Sequence, residues 1–253
     1  FMATQEGILP IKGSIGNITF FKTKDGYRVK QKSSISANEI ATNPAFKRTR
    51  ENGAEFGRAC KAGKVFRMAF GSFLQTMSDR RLVSRLVKQM MIVIHADKTS
   101  TRGQRNVIDG EATLLKDFDF NSNAVLGTCL KVKYATSIDR TTGIMTASFP
   151  DFNNEKNVYV PSGSTHYKLL LIGSAVDFEN ADYQTQSDAS DFISIDDIQV
   201  AAMELTINLP ANSTHPLFLA LGMEFYQEVN GGKYPFNTGS FNALNIVKVD
   251  GGV

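Results

Sequence analysis

The residues that can bind a metal or act as nucleophiles are few and scattered. The three histidines, His95, His166 and His215, have no second His or Cys nearby, so no zinc site is predicted. Cys60 and Cys129 lie far apart without metal-ligand spacing, which favours free buried thiols over a disulfide. No G-x-S-x-G elbow and no H-E-x-x-H helix is present. We therefore expect no catalytic residues, no metal and no cofactor, and predict that the protein is not an enzyme.

Clustered carboxylates are the next candidates for chemistry. Five of them form an acidic, loop-like cluster, namely Asp177, Glu179, Asp182, Asp188 and Asp191. Calcium needs several oxygen ligands converging on one point, and the EF-hand pattern with its central glycine is absent, so a solvated loop is favoured over a calcium site. Asp196-Asp197 and Asp117-Phe118-Asp119 are paired carboxylates, but no nucleophile and no tryptophan platform accompanies them, which argues against a glycosidase.

Two glycine-containing segments resemble loops that bind phosphate or nucleic acid. Residues 57–65 suggest a P-loop, but they have an extra residue between the glycines, and Val65 stands where a hydroxyl must bind magnesium. They also fall within a predicted helix. Residues 11–18 match the I-x-G-x-x-G-x-I core of the KH loop, which needs a helix on each side, whereas a β-hairpin follows here. Glycines that permit tight turns are the favoured interpretation of residues 11–18.

The distribution of charge is the most informative property of the sequence. Residues 1–105 contain 20 Lys and Arg against 7 Asp and Glu, a net charge of +13, whereas residues 106–253 contain 8 against 18, a net charge of −10. This asymmetry indicates either a polyanionic partner for the basic region or head-to-tail packing between copies. The candidates for polyanion contact are Lys22, Lys24, Arg28, Arg48, Arg50, Arg58, Lys61 and Lys64.

The basic candidates lie on a predicted hairpin and a long helix. Residues 15–22 are β-branched and aromatic, residues 27–32 alternate apolar with basic residues, and a Lys24-Asp25-Gly26 turn lies between them, which predicts a hairpin with one apolar and one basic face. A polar linker from Ser33 to Thr42 follows. Asn43-Pro44 then predicts a helix start, and the helix is expected to extend to about Phe73.

Two stripes are predicted on this long helix. Its core stripe consists of Phe46, Phe56, Phe66, Phe70 and Phe73. A stripe of small residues, Gly53, Gly57, Cys60 and Gly63, indicates close approach of another backbone, either within the fold or from a neighbouring subunit. Together with Phe56, these four residues are the candidate assembly interface.

A second helix is predicted after Ser78-Asp79 and is expected to end near His95. Its core-facing residues are predicted to be Leu82, Val83, Leu86, Val87, Met90 and Met91. Its other face carries Arg80, Arg81, Arg85 and Lys88.

The remainder of the chain is typical of an antiparallel β protein. Strands are predicted over residues 125–134, 144–149, 167–176, 198–209, 217–229 and 244–249, with turns at 139–143 and 230–232. The fold class is therefore α+β: an N-terminal β-hairpin and helical pair, residues 1–105, followed by an acidic antiparallel β-sandwich, residues 106–253, of Ig-like or jelly-roll-like form.

The N-terminal motifs resemble those of a known group of proteins. Gly13-x-x-Gly16-Asn17 precedes Phe20-Phe21-Lys22, and Asn43-Pro44 opens an N-P-x-x-x-x-T-R-E-N sequence that ends at Asn52. In this the chain resembles a group of uncharacterised Bacteroidota proteins over roughly residues 7–70. The resemblance implies no catalytic residues and a structural or assembly role.

These observations lead to one principal hypothesis and two alternatives. The principal hypothesis is a non-enzymatic structural subunit that self-assembles into a homo-oligomer, such as a filament, tube, ring or appendage, through charge-complementary, head-to-tail contacts. The first alternative is a nucleic-acid-binding protein that uses the basic N-terminal region, and the second is an adhesin-like module that binds a carbohydrate or a surface.

The expected location follows from the absence of apolar segments. No window approaches 18 uncharged apolar residues, so no membrane span is predicted. Phe1 before Met2 is interpreted as a residue added for expression, and no secretory signal follows it. A cytoplasmic protein is expected, with membership of an exported or particle-forming assembly as an alternative.

Overall fold

The chain divides into two compact units, residues 1–51 and residues 52–253. The computed structural model describes residues 2–4, 11–32, 34–236 and 240–252. Phe1 and Ser33, to which the sequence predictions refer, lie outside the described residues. The boundary at 51/52 differs from the predicted one at 105/106, where the charge changes sign, because the helices of residues 52–105 contribute to the same core as the large sheet of the second unit.

The first unit contains a four-stranded antiparallel sheet. Its strands are β1 (Met2–Thr4), β2 (Gly13–Ile15), β3 (Ile18–Thr23) and β4 (Gly26–Gln31), in the order β1-β4-β3-β2. Strands β3 and β4 are the predicted hairpin, in which Thr23 pairs with Gly26, a glycine whose φ of +112° an L-residue rarely adopts. Gly16 (φ +56°) occupies the turn between β2 and β3, so the tight-turn interpretation of the KH-like segment is confirmed.

Short helices replace most of the predicted linker. Helix α1 (Ala37–Thr42) is capped by Ser36, whose Oγ accepts the Glu39 N–H at 3.0 Å. Asn43 caps a 3₁₀ turn (Pro44–Phe46) as predicted, since its Oδ1 accepts the Ala45 N–H at 2.9 Å. Helix α2 (Lys47–Ala69) follows directly and crosses the boundary at 51/52. The linker prediction was therefore wrong over residues 37–42.

The second unit begins with the helical part of its core. Its elements after α2 are a 3₁₀ turn (Phe73–Gln75), α3 (Leu82–His95), a second 3₁₀ turn (Ala112–Leu115), α4 (Leu126–Cys129) and α5 (Asn154–Asn157). Residues Leu126, Cys129 and Leu130 are buried at helical spacing. The strand predicted over residues 125–134 was therefore wrong, because these apolar residues have the period of a helical turn.

The strands of the second unit form two main sheets. In chain order they are β5 (Ala135–Ile138), β6 (Ile144–Phe149), β7 (Phe152–Asn153), β8 (His166–Asp177), β9 (Asp182–Ala189), β10 (Ile193–Ser194), β11 (Gln199–Val200), β12 (Met203–Asn208), β13 (Leu217–Val229), β14 (Gly232–Pro235) and β15 (Ala243–Asp250). The larger sheet has the order β10-β8-β13-β14, with β9 paired to β8 and β15 paired to β13. The smaller sheet has the order β12-β6-β5, and β7 pairs with β11.

The larger sheet is buried on both faces. Along β8, Leu170 and Ile172 belong to the core shared with Phe66 of helix α2. The alternate residues Leu169 and Leu171 belong to the core shared with the smaller sheet. The second unit therefore has three layers, namely the helices, the larger sheet and the smaller sheet, which explains why β8 and β13 are almost continuously apolar.

The described residues confirm a mixed helix and strand protein whose sheets are antiparallel and include a curled half-barrel. Several predicted strands are present as β6, β8, β12, β13 and β15. The predicted aromatic stripe on helix α2 is only partly correct, because Phe66 and Phe70 are buried whereas Phe56 is 54% exposed.

Candidate assembly and polyanion-binding surfaces

The two faces of the N-terminal sheet differ in character because residues alternate along each strand. Ile15 pairs with Ile18, and Phe20 pairs with Val29, which places these four side chains on one face. We call this face, together with Tyr27, the apolar sheet face. The opposite face, the basic sheet face, carries Ser14, Thr19, Phe21, Arg28 and Lys30. The predicted division of the hairpin into an apolar and a basic face is therefore only partly correct, because Lys22 lies on the apolar sheet face and Phe21 on the basic sheet face.

The apolar sheet face has no cover among the described residues of the first unit. Ile15 is 62% exposed and Ile18 is 44% exposed, while Phe20, Tyr27 and Val29 are half-buried. No residue of the first unit whose burial is described is fully buried. A small sheet gains its stability by burying one face, and the described residues of the first unit bury little of the apolar face.

The predicted cations of the sheet remain accessible. Lys22 extends from the apolar sheet face, with its Nζ 5.7 Å from the centre of the Tyr27 ring. On the basic sheet face, the Lys30 Nζ lies 5.5 Å from the Phe21 ring, and Arg28 is half-buried beside it. Lys24 lies exposed in the β3–β4 turn.

Two of the predicted polyanion contacts, Arg48 and Arg50, lie in the first unit outside its sheet. They have different hydrogen-bonding partners. Arg48 is exposed and forms an ion pair with Glu51 at 3.4 Å, one turn along helix α2. The Arg50 guanidinium instead donates to the carbonyl oxygens of Ile40 and Asn43, at 2.7 and 2.9 Å. Arg50 therefore stabilises the connection between α1 and α2, and its hydrogen bonds are used within the fold.

The small-residue stripe of helix α2 is split between surface and core. Gly53 and Gly57 are exposed, and a Cβ at either position would meet no atom within 4 Å. Gly63 is buried, and a Cβ there would lie 3.7 Å from the side chains of Leu86 and Val87. Cys60 is half-buried. Gly63 therefore packs against side chains of helix α3 at ordinary contact distance and not against another backbone, whereas Gly53 and Gly57 are open to an approaching backbone.

A groove of 620 Å³ lies beside Phe56. Its lining includes Asn52, Gly53, Met91 and His95, and its walls are mainly apolar. The exposed Phe56 and the open Gly53 make this groove the part of the predicted assembly interface that remains accessible.

The groove also contains a buried carboxylate, Glu55. Its Oε1 accepts the Gly103 N–H at 2.8 Å and lies 3.8 Å from Arg105 Nε. The His95 imidazole approaches its other oxygen at 3.5 Å. Glu55 is therefore hydrogen-bonded within the fold, and no nucleophile lies among the groove residues.

The loop after helix α3 is fixed by its polar residues. Arg58, predicted to contact a polyanion, donates from Nε to the Arg105 carbonyl at 2.6 Å and from Nη2 to the Gly103 carbonyl. Asp97 accepts N–H groups from Thr99 and Ser100 at 2.9 Å each. Burial raises the pKa of Asp97, but the hydrogen bonds from Ser100 and Thr99 outweigh it and hold that pKa well below its ordinary value.

The third acidic residue of this region, Asp79, is also withdrawn from solvent. Its side chain is 5% exposed, pairs with Arg85 and accepts the Ser122 N–H at 2.8 Å. Burial opposes ionisation, yet the hydrogen bonds from Ser122 and Arg81 keep the pKa of Asp79 below its ordinary value.

The exposed charges of residues 52–105 therefore have a single sign. All seven are cations, and we call them the basic helical surface: Lys61, Lys64, Arg80, Arg81, Lys88, Lys98 and Arg102. The three carboxylates of the same region, Glu55, Asp79 and Asp97, are withdrawn as described above. Of the predicted polyanion contacts, only Lys61 and Lys64 belong to this surface.

The acidic cluster does not converge on a metal site. Asp182 and Asp188 lie on strand β9, while Asp177 ends β8 and accepts the N–H groups of Glu179 and Asn180 at 2.9 and 3.0 Å. In the part of the chain that the structure describes, no three His, Cys, Asp or Glu side chains are grouped to hold a metal ion. The solvated loop interpretation was wrong for Asp182 and Asp188, because a polar edge strand lacks the apolar alternation by which strands are recognised.

The remaining candidates for chemistry are accounted for by the fold. The P-loop-like residues 57–65 lie within helix α2, where backbone N–H groups are used by the helix, as predicted. Cys60 and Cys129 are free thiols, and burial raises the pKa of Cys129. Asp119 accepts the Leu126 N–H at 3.3 Å, and burial is the main reason that the pKa of this carboxyl is raised.

Comparison of the chain with protein-family models, curated proteins and solved structures gives no match. The resemblance to the Bacteroidota group therefore stays a prediction. Over the residues that the structure describes, the helices are too short or too polar to cross a membrane.

Sequence reasoning missed part of both surfaces. The basic face of helix α3 follows from its helical period, but Arg81 and Lys88 were not among the predicted polyanion contacts. The lack of cover on the apolar sheet face leaves no sequence signal, since an exposed and a buried isoleucine look alike in a strand.

Proposed function

We propose that the protein is a non-enzymatic structural subunit that self-assembles head to tail. The observation that supports this most strongly is the uncovered apolar sheet face of the first unit. A sheet with no fully buried residue among those whose burial is described gains little stability from apolar burial, and exposed contiguous apolar surface typically marks an interaction site.

We propose a second copy of the chain as the occupant of this face. The first unit contains 9 Lys and Arg against 4 Asp and Glu, a net charge of +5, whereas residues 106–253 carry −10. Charges of opposite sign on two parts of one chain favour contacts between unlike parts of neighbouring copies, and these give a polar, head-to-tail arrangement.

The accessible part of the small-residue stripe fits the same role. Gly53 and Gly57 leave room for a neighbour's backbone, and the exposed Phe56 beside them offers an aromatic anchor. Gly63 is not part of this proposal because its side of the helix packs against Leu86 and Val87.

The finer fold class is also a proposal. The larger and smaller sheets share one core, and this supports an Ig-like or jelly-roll-like sandwich for the β-rich part of the second unit.

The assembly is tested by light scattering coupled to size-exclusion chromatography, at 50 and 500 mM NaCl. The variant Ile15→Lys/Ile18→Lys places two charges on a cross-strand pair of the apolar sheet face. We expect the unaltered chain to form oligomers that shrink at high salt, and this variant to elute as a monomer at both salt concentrations.

The matched control is Ser14→Lys/Thr19→Lys. Ser14 and Thr19 also pair across strands β2 and β3, but on the opposite face. The control should retain the oligomers of the unaltered chain. A salt-insensitive monomer at high protein concentration would refute self-assembly, and equal effects of the two double variants would exclude the apolar sheet face as the contact.

A further inference from the structure

The groove beside Phe56 carries more positive than negative charge among its lining residues. Two arginines, Arg102 and Arg105, contribute to its lining together with the His95 imidazole. Its one carboxylate, Glu55, is buried and already accepts a backbone N–H. The groove therefore combines mainly apolar walls with cations, and a segment that fits it should be both apolar and acidic.

Arg105 has hydrogen-bond donors available for such a segment. A guanidinium has five N–H donors, and the Arg105 Nε lies 3.8 Å from Glu55. Neither of its Nη atoms has a hydrogen-bond acceptor among the residues that the structure describes, and its side chain is 28% exposed. Arg105 can therefore donate two parallel hydrogen bonds to an incoming carboxylate.

The turn between β10 and β11 has the complementary properties. Ile198 is 68% exposed, which makes it the most exposed large apolar side chain of the described residues. Asp196 and Asp197 precede it and are also exposed. Within the described part of the chain, neither carboxylate forms a side-chain hydrogen bond or an ion pair. The turn thus presents an apolar side chain next to two carboxylates that no interaction within the fold uses.

The backbone of this turn is fixed by Asn154. The Asn154 Nδ2 donates to the carbonyl oxygens of Ser194 and Asp197 at 3.0 and 2.8 Å. Its backbone N–H donates to the Ile198 carbonyl at 3.0 Å, and its Oδ1 accepts the Tyr167 hydroxyl at 2.5 Å. Because the turn is held in one conformation before any contact, presenting Ile198 to a neighbour costs little conformational entropy.

The groove and the turn belong to different layers of the second unit. Val93 and Ile94, next to the groove residue His95, lie in the core between the helices and the larger sheet. Ile193 and Val200, on either side of the turn, lie in the core shared with the smaller sheet. A contact between groove and turn therefore joins unlike surfaces of two copies, which is the geometry of a head-to-tail arrangement.

We propose that the β10–β11 turn of one copy occupies the groove beside Phe56 of the next copy. Ile198 packs against Phe56, and Asp197 pairs with Arg105. Gly53, where a Cβ would meet no atom within 4 Å, leaves room for the backbone of the turn. This contact rests on the self-assembly proposed above and names the segment of the neighbour. One turn buries too little surface to join copies alone, so the apolar sheet face stays necessary.

The contact is tested by cross-linking two variants of the full chain that differ in mass by a tag. Both carry Cys60→Ser, so that the buried Cys129 is the one native thiol left. One carries Gly53→Cys in the groove and the other Asp196→Cys in the turn, and a short bismaleimide joins neighbouring thiols. The mixed dimer should form at least about 10-fold faster than with Asp182→Cys, an exposed position on β9, because the contact holds the two thiols together. Equal rates for the turn variant and this control would overturn the proposal.

Two substitutions of Ile198 test its role as the anchor. In the turn variant, Ile198→Asp should lower the rate of cross-linking to that of the Asp182→Cys control, whereas Ile198→Leu should keep the rate. Because Ile198 is exposed, both variants should fold as the unaltered chain does, which circular dichroism checks. The same rate in the two Ile198 variants would contradict insertion of this side chain into the groove.

A third reporter, Ile15→Cys on the apolar sheet face, tests the first unit as the occupant of the groove. Faster cross-linking of Gly53→Cys to this reporter than to Asp196→Cys would overturn the proposal.

Light scattering of the unaltered chain decides self-assembly separately. Oligomers without cross-linking between groove and turn would refute this contact and leave the proposed self-assembly in place. Cross-linking in a chain that is monomeric by light scattering would support the contact and refute stable self-assembly.

Discussion

Asp97 illustrates how the acidic residues of the helical region serve the fold. It is 3% exposed, and its carboxylate also accepts the Thr99 Oγ–H at 2.9 Å and the Asn106 N–H at 3.2 Å. These bonds replace water around a buried charge and fix the loop that follows helix α3.

We predict that Asp97→Asn lowers the free energy of unfolding by about 1–3 kcal/mol at pH 7, because charge-assisted hydrogen bonds are lost. The folded pKa of Asp97 is lower than the ordinary carboxyl value of about 3.9. The stabilisation is therefore complete above about pH 5 and is lost as the pH falls through about 4 towards the folded pKa. The difference between the unaltered chain and the variant should shrink accordingly, which urea titrations at pH 7, 5 and 3 measure.

Asp196→Asn is the control for this titration, because Asp196 is exposed. It should change stability by less than about 0.5 kcal/mol at each pH. A difference between the Asp97 variant and the unaltered chain that stayed constant down to pH 3 would contradict the assigned role of the ionised carboxylate.

The sequence does not show which cationic side chains form hydrogen bonds within the fold and which remain exposed. Arg50 and Arg58 are cations of helix α2 like the exposed Lys61, but both donate to backbone carbonyl groups that only the folded chain brings near. Conversely, the alternation of apolar and basic residues in β4 is a local property, so the two faces of this strand could be predicted, whereas Lys22 of β3 lies on the apolar sheet face against the prediction.

At the scale of the element, the β5–β6 hairpin depends on one glycine. Gly143 has φ +80°, and a Cβ at this position would lie 2.0 Å from the Leu209 carbonyl oxygen. The same glycine accepts the Leu209 N–H at 2.9 Å, which joins the hairpin to the end of β12. The turn and the neighbouring strand end thus require the absence of a side chain.

We predict that Gly143→Ala lowers the free energy of unfolding by at least about 2 kcal/mol, because it adds backbone strain and forces the two strands apart. Thermal and urea unfolding monitored by circular dichroism measure the loss. Gly127→Ala in helix α4 is the control, since a Cβ there meets no atom within 4 Å, and it should be neutral or stabilise by up to about 1 kcal/mol. Equal stability of the two variants would contradict this account.

Helices and strands could be predicted from the sequence where a long segment repeats apolar residues with a regular period. The apolar runs of β8 and β13 and the helical period of α3 are set by burial, so their positions agree with the sequence predictions. Strand β9 was missed because its side chains are mostly polar, and its assignment depends on pairing with β8. Helix α4 was mistaken for a strand because it is only one turn long.

At the scale of the whole molecule, the two units differ in how they are stabilised. The second unit has two cores on either side of the larger sheet, whereas no residue of the first unit with described burial is fully buried. This difference could not be predicted from charge, because basic residues occur in both units. It implies that the two units open with different free energies.

We predict that hydrogen exchange of the first unit depends on protein concentration. In dilute protein, the amides of β3 and β4 should exchange at least about 100-fold faster than those of β8 and β13, because local opening costs less free energy where little apolar surface is buried. Raising the concentration should slow exchange in β3 and β4 only, as a second copy covers the apolar sheet face. Exchange measured by mass spectrometry at two protein concentrations reports both effects.

The variant Ile15→Lys/Ile18→Lys provides the decisive comparison. It should keep fast exchange in β3 and β4 at every concentration, whereas Ser14→Lys/Thr19→Lys should show the slowing of the unaltered chain. If β3 and β4 were as protected as β13 in the most dilute sample, the first unit would be stable without a partner. The need for a second copy would then disappear.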